Sequence, residues 1–229
     1  GGIGLTGIVL SARIRLRQIA SAWYTVDYRQ CGNLDAALAA MDEGDDRYAY
    51  SVAWVDCLAR GVSLGRSILM RGNHARPEDL SPAQREHPLR QPRKRAKNVP
   101  MDFPCFALNS MSVKAFNEVF FRSHPTSEGK VVDYDSYFFP LDAIHHWNRI
   151  YGKRGFVQYQ ATVPLDSARN LGRLLERLTA SDGASFLAVL KRFGAANPGL
   201  LSHPFPGYTL TLDLPVRGDL NEPDFRYGR

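Results

Sequence analysis

The chain has 229 residues, a formal net charge of +6, 44% hydrophobic and 23% charged residues. That length can bury a full core as one large or two small domains, and the balance excludes a disordered chain. No apolar run is long enough to cross a bilayer as a helix, and Cys31, Cys57 and Cys105 are widely spaced with no CxxC pair, which fits a reduced compartment and no structural metal.

The chain opens at Gly1 with GGIGLTG, without an initiator Met or a signal peptide, and its polar tail from Gly218 to Arg229 ends abruptly. It is therefore expected to be a piece of a longer protein. The glycine-rich opening differs from a dinucleotide fingerprint because it precedes a strand and no helix opens after it. Ile8, Leu10, Ile14 and Leu16 alternate with polar residues and predict a strand over Ile8–Leu16. Trp23–Tyr28 is aromatic and β-branched and predicts a second. Asn33 caps a helix that carries Leu34, Leu38 and Met41. Tyr48–Val55 and Gly61–Met70 read as strands, and six prolines between residues 72 and 104 mark loops.

Further on, Val113, Phe116 and Phe120 share a face of a helix over Ser112–Phe121, and a short helix is expected over Asp142–Tyr151. Gly155–Val163 is a strand. Ser167–Ala180 is the clearest amphipathic helix, with Leu171, Leu174, Leu175 and Leu178 on one face. Phe186–Phe193 and Tyr208–Leu214 complete the strands. Helices and hairpin-length gaps between alternating strands predict an α+β fold, a mostly antiparallel sheet with helices on one face.

The most informative segment is Phe156-Val157-Gln158-Tyr159-Gln160. Two amides at i and i+2 of a strand point to one face, which is then polar where a core strand would be apolar. That face is either an ordinary solvent-facing strand or, with Arg149 and the aromatics before it, suited to a polyhydroxylated ligand. Lys191 interrupts an apolar strand and shares a face with Val189 and Phe193, so its amine either reaches solvent or binds an anion or hydroxyl. His145 and His146 are adjacent and face different directions, with no ligand partner at metal spacing, and His203 sits alone in a proline-rich turn. The segment Arg85–Lys97 reads REHPLRQPRKRAK, a basic surface loop that is either simply solvated or suited to anionic lipid head groups, a phosphorylated substrate or nucleic acid.

The segments GGIGLTGIVL, RYAYSVAWVD, PLDAIHHWNRIYG, GFVQYQATVP, SFLAVLKRFG and LSHPFPGYTLTLDLP together resemble the decaprenylphosphoryl-β-D-ribose 2-oxidase family, FAD-linked oxidases of the vanillyl-alcohol-oxidase-like superfamily. The resemblance runs from Gly1 to about Val216. It implies that residues 1–16 are the last strand of an FAD-binding domain lying upstream. Residues 17–217 would be the substrate (cap) domain, with a mobile basic loop at about 72–104, and 218–229 a tail that does not match. It implies FAD as cofactor, with Val9, Tyr208, Thr209 and Thr211 near the flavin. Trp54, Arg149, Gln158, Gln160, Lys191 and Phe193 would line the substrate pocket, and no catalytic side chain is assigned. Thr211 stands where the family has a cysteine, Val52 where it has a serine, and Phe138-Phe139 where it has Tyr-His, so a related sugar remains open as substrate.

The resemblance implies oxidation of a sugar alcohol to a ketone, with hydride passing to flavin N5. It further implies a polyprenyl-phosphate sugar as substrate and a short-chain reductase as partner, with no nucleic acid. The chain is expected in the cytoplasm or at a membrane surface reached through Arg85–Lys97. The alternative is a catalytically silent remnant kept as a ligand-binding or interaction module, which would expose an apolar face and self-associate.

Overall fold

The computed structural model describes residues 4–92, 94–104, 107–180, 185, 187–199 and 203–216. In chain order the elements are β1 (Trp23–Cys31), α1 (Leu34–Gly44), β2 (Tyr50–Val55), β3 (Ser67–His74), α2 (Pro82–Glu86), β4 (Lys97–Asn98) and α3 (Ser110–Ser123). They continue with β5 (Ser127–Asp133), α4 (Tyr134–Phe138), β6 (Ile144–His145), β7 (Phe156–Pro164), α5 (Arg169–Ala180), β8 (Leu187–Phe193) and β9 (Gly207–Pro215). Seven strands form one sheet in the order β5-β1-β3-β2-β8-β9-β7, every neighbouring pair antiparallel. β4 and β6 form a separate two-stranded parallel ladder.

Strand alternation decides which side chains build the core. On β9, Tyr208, Leu210, Leu212 and Leu214 join Ala188 and Leu190 of β8, Ala53 and Val55 of β2 and Leu69 of β3. Two helices close over that face. Asn33 accepts from the Ala36 amide at 2.9 Å, which starts α1 and turns Leu34, Ala37, Ala40 and Met41 onto the sheet. α5 lays Leu171, Leu175 and Leu178 beside them. Burying one such aliphatic side chain contributes about 1.5–3 kcal/mol, so this helix–sheet layer holds the domain together.

The other face is covered over only part of its width. The α3 carbonyl of Phe121 accepts from Gln30 Nε2, and α3 stacks Phe120 on Trp54 with ring centroids 4.8 Å apart. Beneath α3, the buried Asp56 carboxylate accepts from the Leu58 amide, from Asn117 of α3 and from Arg66, which also pairs with Glu118 of α3. α4 places Tyr137 and Phe138 over Tyr24 and Tyr50. Together α3 and α4 roof β1, β3 and β2, adding a second helical cover to the one the sequence predicts.

The structure corrects several expectations. Ile8–Leu16 forms no strand: it is coil, with Ile8, Leu10, Ile14 and Leu16 each at least three-quarters exposed. Alternation alone does not make a strand, because the ladder needs a partner, and among the described residues none pairs with this segment. Gly61–Met70 divides into a 3-10 turn at Gly61–Ser63 and then β3, which runs to His74. Asp142–Tyr151 forms no single helix but two 3-10 turns around the β6 bridge, with His146 at a left-handed φ of 57° between them. The predicted positions at Gly1–Ile3, Arg93, Cys105, Phe186 and 218–229 lie outside the described residues.

Candidate functional site

β8, β9 and β7 leave a polar, uncovered face opposite the α1–α5 layer, beside the roof formed by α3 and α4. The registers Gln158↔Asp213↔Leu187, Gln160↔Thr211↔Val189 and Thr162↔Thr209↔Lys191 place these side chains in three rows across that face. Gln158 Nε2 donates to Asp213 Oδ1 at 2.9 Å, and Gln160 Nε2 donates to the Thr209 hydroxyl at 2.9 Å. An ionised carboxylate only accepts, so the Gln158 amide must turn its NH2 inward. Gln158 thereby presents its carbonyl oxygen to solvent, and Gln160, with its NH2 on the Thr209 hydroxyl, does the same, giving two acceptors about 7 Å apart along the strand.

The groups beneath are buried. Thr209 is fully enclosed and Asp213 is 2% exposed. Burial pushes the Asp213 carboxyl above its ordinary value, and the Gln158 bond offsets part of that rise. At the other end of the stripe, the exposed Lys191 ammonium has no hydrogen-bond or ion-pair partner among the described residues. Its neighbour Arg192 points to the opposite face, where it pairs with Asp42 and Asp46.

Of the residues singled out in the sequence, Gln158, Gln160, Lys191, Phe193, Thr209 and Thr211 share this open face. Trp54 lies on the same face but is 4% exposed under Phe120, at the border of the roof. Arg149 stands to the side: its Nη1 donates to the carbonyls of Val99 and Pro100 at 3.0 and 2.9 Å, stapling that loop to the Trp147–Tyr151 turn. Tyr208 lies on the opposite side of β9. Alternation turns its side chain into the core, 1% exposed, where its phenol donates to Asp42. Val9 is 81% exposed in coil, away from any described ladder.

Three features escaped the sequence reading. Asp213 follows Thr209 and Thr211 at period two, so alternation alone could have placed it opposite Gln158. His203 returns over the sheet, its Nε2 3.5 Å from the Thr162 hydroxyl and its ring edge-on to Phe193 at 5.6 Å. Tyr151 stacks on Phe156 with centroids 4.5 Å apart and borders a cavity of about 440 Å³ beyond the Asp213 end, lined also by Asp102, Phe103, Lys153 and Arg154. Only turn geometry brings the last two near the stripe, and no periodicity in the sequence signals that.

Burial raises the Cys31 thiol, and for Cys57 the nearby Asp56 adds to the effect, so neither presents a thiolate. Among the described residues, no group of three His, Cys, Asp or Glu side chains could hold a metal ion, and no helix is long and apolar enough to cross a membrane.

No protein-family model matches the chain. It is 33% identical over 223 residues to decaprenylphosphoryl-beta-D-ribose oxidase of Mycolicibacterium smegmatis, covering 97% of this chain and 48% of that protein. It is 31% identical over 225 residues to an uncharacterized protein in the mprA 5' region of Streptomyces coelicolor, covering 95% of this chain and 60% of that one. The chain thus spans about half the length of these curated relatives. Along nearly its whole length, it is a homologue of decaprenylphosphoryl-beta-D-ribose oxidase.

Proposed function

We propose that this chain is the substrate-binding part of an FAD-dependent oxidoreductase that converts a secondary alcohol of a sugar to a ketone. The substrate class is a polyprenyl-phosphate ribose or a related sugar, the first being what the mycobacterial relative's name states for that protein. The observation that carries this reading is the outward pair of amide carbonyls at Gln158 and Gln160 on an uncovered sheet face. Two fixed acceptors recognise adjacent hydroxyl donors, and their NH2 groups are anchored from below, so the acceptors hold their direction when substrate arrives.

The residues present fit a flavin ring laid against this face but not the rest of the cofactor. Gly4–Gly7 leads into coil, and the first described helix opens only after β1, so no phosphate cradle forms among the described residues. The chain alone is therefore expected to hold FAD poorly. When bound, the flavin supplies the hydride acceptor. The chain's own part is to present the carbinol carbon: Gln158 and Gln160 hold the sugar, Thr211 fills the row between Gln160 and Val189, and Phe193 with Trp54 borders the stripe. Arg149 keeps the wall beside it in place.

The exposed side chains of Arg85, Arg90, Arg95 and Lys97, with Leu89 61% exposed, support peripheral contact with an anionic lipid surface where such a substrate would reside. A short-chain reductase acting on the ketone would complete an epimerisation. The exposed apolar side chains of Leu5, Ile8, Val9 and Leu10 favour a second reading, a silent binding module that self-associates. Titration with a soluble short-chain prenylphosphoryl-β-D-ribose, read at the side-chain amide resonances of Gln158 and Gln160, tests the first. Shifts at both are expected; shifts confined to residues elsewhere would refute it.

A further inference from the structure

The stripe is electrically polarised along its length. At one end, Lys191 carries an ammonium with no partner among the described residues, in the row Thr162↔Thr209↔Lys191. His203 sits over that same end, touching Thr162 of β7 and Phe193 of β8 and so spanning β9 between them. Gly207 makes this possible. A Cβ there would lie 2.5 Å from the Val163 carbonyl oxygen and 3.2 Å from the Phe205 ring, so only glycine lets the proline-rich turn fold this closely onto the sheet. At the other end, four residues along β9 and about 13 Å away, lies the buried Asp213 carboxylate with Gln158 above it.

An amine, an imidazole and the Thr162 hydroxyl at this end are the donor set of an oxyanion site. The amide carbonyls and the carboxylate are the acceptor set of a polyol site and would repel an anion. Resting on the reading of this face as a sugar-binding surface, the geometry points to a fixed ligand polarity: a phosphate group docks between Lys191 and His203, with the Thr162 hydroxyl as a further donor, while the sugar hydroxyls lie along Gln160 and Gln158 toward Asp213. His203 is thereby assigned as a phosphate ligand. The competing cations are Lys153 and Arg154, which border the cavity beyond the Asp213 end and would call for the reverse orientation.

The test uses the 229-residue chain with two separate probes, inorganic phosphate and methyl β-D-ribofuranoside, read by side-chain NMR. Phosphate is expected to shift the His203 imidazole and Lys191 ammonium resonances, and the riboside the Gln158 and Gln160 amides. Lys191→Met keeps the apolar stem and His203→Phe keeps a ring against Phe193. Each is expected to weaken phosphate binding about tenfold while leaving the riboside response unchanged, which also shows that the variants fold. Phosphate shifts at Lys153 and Arg154 instead, or none at His203 and Lys191 while the riboside still moves the two amides, would overturn the polarity and leave the proposed function standing. A riboside that moves neither amide would remove the sugar-binding reading and this inference with it.

Discussion

Replacing Asp56 with alanine is expected to unfasten α3 from the sheet. The carboxylate is 1% exposed and accepts from the Leu58 amide at 2.9 Å, Asn117 Nδ2 at 2.6 Å, and Arg66 Nε and Nη2 at 2.8 Å each. Its loss leaves the Leu58 amide and the Asn117 side chain buried without that acceptor and strips Arg66 of one of two partners. Removing one side of a buried ion pair costs about 3–5 kcal/mol. Glu118, 2.8 Å from Arg66, still shares the positive charge, so the loss should fall at the lower limit, about 3 kcal/mol. For a domain of this size, that lowers Tm by about 6–12 °C. Phe120 would also lose its hold on Trp54, so tryptophan emission should shift toward that of a solvated indole before the global transition. Thermal unfolding by circular dichroism, with fluorescence in parallel, measures both. A loss below about 1 kcal/mol with unchanged emission would refute the latch.

Further outcomes follow from other sites. Burial holds the Asp213 carboxyl above its ordinary value, so its ionised form costs stability at neutral pH, and that cost is relieved as pH falls through the raised value. Asp213→Asn, which keeps an acceptor for Gln158, should raise stability at neutral pH and flatten this part of the pH profile, measured by urea melts at several pH values. Asp133 behaves oppositely: burial raises its carboxyl, but Lys94 and Ser136 outweigh that and hold it below the usual range. Its contribution is present at neutral pH and lost as pH falls through the lowered value, and Lys94→Met should shrink that acid-side loss. Gly207→Ala must displace the Val163 carbonyl, which a Cβ would meet at 2.5 Å, at a cost of about 1–3 kcal/mol in chemical unfolding. Under native conditions, mass mapping with a thiol reagent should find Cys31 and Cys57 unlabelled, and labelling of either would contradict their buried, raised thiols.

The parts legible in the sequence were those fixed by local periodicity. α1 carried its cap at Asn33, α5 its leucine stripe, and β7 and β9 their period-two faces, so the polar side of Gln158 and Gln160 could be placed before any fold was known. The same rule applied to Tyr208-Thr209-Leu210-Thr211 turns Tyr208 inward, where resemblance had placed it near a flavin. β5 was missed because Ser-Glu-Gly-Lys leads an edge strand with little apolar alternation, bending through Gly129 at a φ of 65°. Ile8–Leu16 shows the converse, since its alternation finds no ladder among the described residues. His203, Tyr151 and the Arg149 staple depend on irregular turns, whose geometry is set by tertiary packing and leaves no periodic trace.

The most direct test is anaerobic reduction of flavin by a prenylphosphoryl-β-D-ribose, using the gene's whole product loaded with FAD. Bleaching of the flavin absorbance is expected, slowed by at least tenfold in Gln160→Ala as a substrate acceptor is lost. Bleaching that proceeds unchanged in the Gln158→Ala, Gln160→Ala double variant would contradict the assignment of this sheet face as the substrate site.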